Sequence, residues 1–160
     1  MMKDEAKTRI NIDELLKSCG FILQDRAEFN RFAKAQGTNI SAVATREFPM
    51  SDGSEADYLL FIEGKACGVI EAKKEGKTLS GTHTQSKHYA THLPQGLKVW
   101  ENPLPFLYES NGERYFSLIC VSLPHALDAF LPFIRQSLCL RNSNPKALCD
   151  KILPHSPKSR

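Results

Sequence analysis

The sequence predicts an α/β fold, and three observations carry that prediction. Residues 56–62 and 66–72 are apolar at almost every position and flank Glu63-Gly64-Lys65. That pattern suits a hairpin of central strands covered on both faces. Stretches with helical character stand before and after it, at 11–19 and 82–93. A further block, 106–121, reads as a second hairpin around Asn111-Gly112. The order is helix, three strands, helix, two strands (α-β-β-β-α-β-β), with no internal repeat.

Each element has a local reason. Asn11 is placed to cap a helix whose third residue is Glu14, with Ile12, Leu15 and Leu16 on one face. Gly20 ends it as a left-handed C-terminal glycine does. Residues 21–37 are amphipathic and ambiguous, with Phe29, Phe32 and Ala33 at helical spacing. Residues 42–48 read as a strand closed by Pro49 and the turn-forming Ser51-Asp52-Gly53-Ser54. Residues 74–77 form a charged exit loop, and Pro94 ends the polar helix 82–93. Beyond about 122, Pro124, Pro132, Pro145, Pro154 and Pro157 interrupt every apolar run. The expected organisation is one domain over 1–121 and a poorly specified tail over 122–160.

Composition narrows the class. With 160 residues, 41% hydrophobic and 24% charged, the chain has ordinary globular usage. Its five cysteines are odd in number and include no Cys-x-x-Cys pair. This argues against a disulfide framework and a structural zinc site, and fits the cytoplasm. No run approaches the ~18 apolar residues of a membrane span, and the opening Met1-Met2-Lys3-Asp4-Glu5 lacks a secretory core. A net charge of +3 permits a nucleic-acid partner without demanding one.

The chemistry lies in the first hairpin. Three ionisable residues interrupt its apolar strands, Asp57, Glu71 and Lys73, and a buried charge needs a partner. Glu71 and Lys73 are two apart and share a face. Asp57 lies seven residues before Gly64 and Glu71 seven after it. A loop centred on Gly64 therefore sets the two carboxylates opposite each other, with β-carbons ~5 Å apart. A slip of one residue would send Asp57 to the other face. Facing carboxylates repel unless a cation separates them, and Mg²⁺ suits oxygen ligands. The Ala72 carbonyl lies beside the site and can add a ligand. Lys73 can orient or deprotonate an attacking water and stabilise charge on a phosphate. The plainer reading is a structural ion pair of Lys73 with Glu71 or Asp57, and spacing alone leaves both open.

Ala56-Asp57-Tyr58, Gly64-Lys65, Glu71-Ala72-Lys73-Lys74 and Gln85-x-x-x-Tyr89 together resemble one known family. It is the N-terminal nuclease domain of the restriction (R) subunit of type I restriction-modification enzymes, within the PD-(D/E)xK nucleases. Ile12-Asp13-Glu14-Leu15-Leu16 with Gly20-Phe21 resembles the family's opening helix, and Arg46-Glu47-Phe48-Pro49 its first strand. Phe106-Leu107-Tyr108-Glu109-Ser110-Asn111-Gly112 resembles the strand and turn after the second helix, so the resemblance spans roughly 10–118.

The resemblance implies a restriction-endonuclease-like core, a mixed central sheet flanked by helices. It implies Asp57 and Glu71 as Mg²⁺ ligands and Lys73 as the catalytic lysine in cleavage of double-stranded DNA. Gln85 and Tyr89, four apart on one helix face, would form the family's extra motif. Glu14 and Glu47 are weaker acidic candidates, read here as a cap and a surface strand residue. Specificity and methylation subunits and an ATP-driven translocase would complete the system. The sequence has no Gly-x-x-x-x-Gly-Lys-[Ser/Thr]: Gly76-Lys77-Thr78 echoes its end, but Glu71 stands where the first glycine belongs. ATP would thus be used only by motor domains on other polypeptides. Two rival readings are a standalone nuclease or resolvase of the same superfamily, and an inactive fragment that at most binds DNA or a subunit.

The tail suggests a shifted reading frame. Read one nucleotide earlier, degenerate codons for 124–136 permit a run resembling what the family has after this strand. The shift would fall between about Tyr115 and Pro124, and stop codons in the alternative frame would refute it. Remaining signals are weaker. His88 and His92 stand at a zinc-compatible spacing without an acidic third ligand, and read as surface histidines. His83, Lys87 and His88 with Lys73, Lys74 and Lys77 can form a basic rim or simply a solvated face. Cys67, Trp100 and Tyr108 read as buried or edge residues.

Overall fold

The computed structural model describes residues 4–73, 88, 89, 91–110 and 116–120. Helix α1 (Asp4–Ser18) leads into β1 (Ile22–Gln24), a single 3-10 turn (Arg26–Glu28), β2 (Ala42–Pro49), β3 (Glu55–Ile62), β4 (Lys65–Ala72), β5 (Phe106–Ser110) and β6 (Phe116–Cys120). The strands form one six-stranded sheet in the order β1-β2-β3-β4-β5-β6. It is mixed, as expected: β1 with β2 and β4 with β5 are parallel, and the other neighbours are antiparallel. Among the described residues no helix is long and apolar enough to cross a membrane.

The first helix starts earlier than expected. Asn11 is not its cap but lies mid-helix on the exposed side, because Thr8, Ile12 and Leu16 already form a buried stripe at four-residue steps. The polar opening turn carries no apolar periodicity, so the sequence pattern misses it. The predicted end is correct. Gly20 has φ 81°, Phe21 N–H donates to the Leu16 carbonyl at 3.0 Å and Gly20 N–H to that of Lys17 at 3.0 Å. This is a Schellman closure, with Phe21 and Leu16 in the same apolar cluster.

Residues 21–37 hold β1, too short to show a pattern, and the 3-10 turn rather than a longer helix. Phe29 packs against Phe48 and Phe61, with ring centroids 5.6 and 4.9 Å apart, and Ala33 joins that cluster. Phe32 does not: it is 56% exposed. Of the predicted helix 82–93, residues 88, 89 and 91 are helical, and 82–87 and 90 lie outside the described residues. So do Lys74, Lys77, Gln85, residues 111–115 and the tail 122–160. The ladder from Ser110↔Phe116 to Phe106↔Cys120 is the expected second hairpin's pairing. Among the described residues, β1 is a strand that the expected order lacks.

The sheet is covered on both faces. Ile12, Leu16 and Phe21 pack with Tyr58, Leu60, Ile70 and Phe106 on the α1 side. Val43, Phe48, Leu59, Phe61, Val69 and Leu107 form the opposite layer, with Tyr89 and Leu104 upon it. A polar network ties the first layer to α1. Arg46 donates to Asp13 through Nε (3.2 Å) and Nη2 (2.7 Å), and to Asp25 through Nη1 (2.8 Å). The buried Tyr58 hydroxyl donates to the same Asp13 at 2.8 Å. Removing the guanidinium leaves Asp13 with an unbalanced, largely buried charge. Arg46→Met is expected to lower unfolding stability by about 2–3 kcal/mol in urea titration; a loss under about 0.5 kcal/mol would show the network to be ornamental.

Two departures from simple hairpin geometry set the register of β3 and β4. The turn is the two-residue Glu63-Gly64, with φ 48° and 73°, as type I′ turns require. Ile62 therefore pairs with Lys65 and Phe61 with Ala66. Extended unchanged, that register would put Asp57 across from Ile70. A bulge intervenes, and beyond it Leu60 pairs with Gly68, Leu59 with Val69 and Tyr58 with Ile70. Cys67 is the extra residue. Continued by one step, the register sets Asp57 across from Glu71, the arrangement a loop centred on Gly64 would also produce.

Candidate active site

Asp57, near the start of β3, and Glu71, near the end of β4, come together at one end of the hairpin. Asp57 is held on both oxygens. Oδ2 accepts the Ala72 N–H at 2.8 Å, and Oδ1 accepts from Nη2 of Arg9, on α1, at 2.5 Å. Arg9 also donates through Nη1 to Glu47 Oε1 at 2.8 Å. Burial opposes the Arg9 charge, but Asp57 and Glu47 outweigh it and hold the guanidinium more firmly protonated.

Glu71 is differently placed. Its side chain is 9% exposed, and Oε1 receives Lys73 Nζ at a long 3.4 Å. Oε2 is buried with no hydrogen-bond partner. Burial, then the charge of Asp57, pushes the carboxyl up to about 7 despite Lys73. Lys73 is anchored through its main-chain N–H to the Ser110 carbonyl at 2.7 Å, which fastens it to β5. The anticipated ion pair of Lys73 with Glu71 is therefore present, and beside it lies a second carboxylate that Lys73 does not explain.

Tyr89 meets the same neighbourhood from the opposite layer. It is buried, and its hydroxyl is pushed up first by burial, then by the negative charges of Glu71, Asp57 and Asp52. Its partner in the expected motif, Gln85, lies outside the described residues. Glu14 is exposed on α1, whereas Glu47 reaches the site's rim through Arg9. His88 and His92 stack at 3.9 Å, and His88 Nε2 meets Asp52 Oδ2 at 2.6 Å. The Ser54 hydroxyl, His88 and the Ser54 N–H hold Asp52 below the usual carboxylate range. These contacts dock His88 and His92 on the β2–β3 turn, and Ser51 N–H to the His92 carbonyl reinforces them at 2.9 Å.

Two site residues escaped the sequence reading. Glu109 sits across from Glu71 in the parallel β4–β5 register and is 5% exposed. It carries the cue that singled out Glu71, a charge inside an apolar strand. Arg9 has no such cue, being one of several charges on a helix 48 residues before Asp57.

No three His, Cys, Asp or Glu side chains among the described residues form a ready metal cage. The residues present still fit Mg²⁺, which typically binds through one or two carboxylates and retains several waters. The observation that fits is the partnerless, buried Glu71 Oε2 beside Asp57. Ala72 stands between them, its N–H on Asp57. Cys67, by contrast, is an inert buried thiol whose ionisation burial suppresses.

The mixed sheet carries this acidic pair and lysine at one end of its central hairpin, and comparison with known proteins assigns the class: a domain of a type I restriction endonuclease subunit. A family model described as the type I restriction enzyme EcoKI endonuclease subunit second domain matches residues 25–120, more than half the chain, and the chain belongs to that family. The resemblance to the type I R subunit is thereby borne out. The match starts just after β1 and ends with β6. No curated protein and no solved structure matches.

Proposed function

We propose that the chain is the DNA-cleaving domain of a type I restriction R subunit with a PD-(D/E)xK site, hydrolysing phosphodiesters of double-stranded DNA with Mg²⁺. Asp57, Glu71 and the Ala72 carbonyl would hold the ion. Bound there, Mg²⁺ supplies charge stabilisation at the scissile phosphate and a water of lowered pKa. Lys73 places a compact cation beside the same point, where negative charge builds as water attacks. Tyr89, with Gln85, would form the family's extra motif and grip the DNA backbone. Specificity and methylation subunits and an ATP-driven motor would come from partner polypeptides.

The observation that carries this reading is the asymmetry of the carboxylate pair. A purely structural ion pair satisfies its acceptors, yet Glu71 keeps a buried oxygen with no hydrogen-bond donor, beside the carboxylate of Asp57. Calorimetric titration of Mg²⁺ into the chain and into Asp57→Ala tests it, with the fold of each checked by circular dichroism. Binding is expected in the first and lost in the second. Equal binding in both, or none in either, would leave the hairpin charges structural and the proposal wrong.

A further inference from the structure

We propose that Arg9 is a built-in counter-ion for this site: its guanidinium occupies the Asp57 arm when no divalent cation is bound, and yields that arm when one arrives. The inference rests on reading Asp57 and Glu71 as the metal-holding pair, and it adds a positioning residue to them.

The first observation is the division of charge. Asp57, Glu71 and Glu47 converge with two cations, Arg9 and Lys73, and Glu109 stands in register beside Glu71. Arg9 neutralises Asp57 and Lys73 lies against Glu71, so the facing carboxylates coexist without a metal. The grips are unequal. Both Asp57 oxygens accept N–H groups, whereas Glu71 Oε2 accepts none. An incoming cation finds one Glu71 oxygen without a donor and both Asp57 oxygens taken. Mg²⁺ binds oxygen at about 2.1 Å, and Arg9 Nη2 is 2.5 Å from the oxygen it would share. Two cations on one oxygen repel at a distance where screening is weak.

The second observation is that Arg9 has somewhere to go. Its other nitrogen is already on Glu47, and these two side chains are 41% and 62% exposed. The guanidinium can therefore leave Asp57 while keeping one anchor and no buried charge is stranded. The backbone is built for this anchor. Successive strand side chains point to opposite faces, yet Arg46 and Glu47 both reach α1, through Asp13 and Arg9. The left-handed backbone at Glu47, φ 48°, permits it, a conformation uncommon for a residue with a side chain. It also resets the alternation, so that Phe48 joins the layer of Val43, five residues away.

The test is divalent-cation affinity without DNA. Mg²⁺ is titrated by calorimetry into the wild-type chain, Arg9→Met and Asp57→Asn, each checked by thermal melting. Arg9→Met is expected to bind about tenfold more tightly, with a gain that shrinks at high salt. A residue that merely braces Asp57 would give the opposite sign, so equal or weaker binding by folded Arg9→Met overturns the proposal. Asp57→Asn separates the two levels. If it loses binding while Arg9→Met fails to tighten it, only the role of Arg9 falls. If Asp57→Asn binds like wild type, or no chain binds, the metal site itself falls and takes this inference with it. A measurement independent of any variant is the side-chain ¹⁵N–¹H resonances of Arg9 in the wild-type chain. They are expected to shift on saturation with Mg²⁺, and unmoved resonances at saturation overturn the proposal.

Discussion

Glu71→Gln is expected to stabilise the metal-free chain above neutral pH while abolishing DNA cleavage. Glu71 is raised from 4.5 to about 7, chiefly by burial and then by Asp57. A carboxyl raised on folding binds its proton more tightly in the folded chain. Its favourable contribution is complete below about pH 4.5 and is lost as pH rises through about 7. Glutamine keeps the shape of the neutral form at every pH. The variant should therefore match wild type near pH 4 and exceed it at pH 8 by about 2 kcal/mol, or roughly 5–10 °C in melting temperature. Cleavage should fall by on the order of 10³-fold, because the amide offers neither charge nor a strong oxygen ligand. Melting curves in chelator at pH 4 and pH 8 check the first half, and a plasmid-cleavage assay in the reconstituted complex checks the second. A variant no more stable at pH 8 would show that Glu71 is not held unfavourably ionised.

The second large effect falls on a residue with no chemistry. Gly68→Ala is expected to cost roughly 3 kcal/mol in unfolding stability. A β-carbon at Gly68 would stand 2.7 Å from both Phe106 Cβ and the Phe106 carbonyl oxygen. The oxygen is backbone in the neighbouring parallel strand, so relief requires β4 and β5 to part. Their separation would also pull the Ser110 carbonyl from Lys73 N–H. Gly53→Ala is the control: nothing lies within 4 Å there, and only its φ of 84° is strained. That substitution should cost about 1 kcal/mol. Comparable losses for the two glycines in thermal unfolding would mean that β4 and β5 accommodate the extra carbon.

What could be read from the sequence followed from how local each determinant is. The strands β3 and β4 announce themselves as continuous apolar runs, β2 by the Pro49 and turn residues that close it, and Gly20 as a helix stop, because each depends on neighbours in sequence. β1 was missed because three residues carry no period. The helical spacing of Phe29, Phe32 and Ala33 leaves 21–37 ambiguous, and tertiary packing decides it by drawing Phe29 and Ala33 into the sheet's outer layer. At the site, Asp57 and Glu71 stand out as charges within buried strands and Lys73 as one just past the end of β4, and the structure sets the first two side by side. Their facing was inferred from a three-residue loop without a bulge; it arises from a two-residue turn with one. Arg9 was invisible because its partnership spans separate elements and marks neither.

That hairpin has a broader consequence. What the carboxylate pair requires is parity: the number of residues between Asp57 and Glu71 must leave both on one side of the pleat. Turn length and bulge count each contribute one step to that sum. Relatives can therefore trade a longer turn for a straight strand and keep the pair intact, whereas a lone insertion or deletion between Glu63 and Gly68 dissolves it without touching either carboxylate. Comparing such hairpins by aligned position alone would miss this; comparing them by odd and even would not.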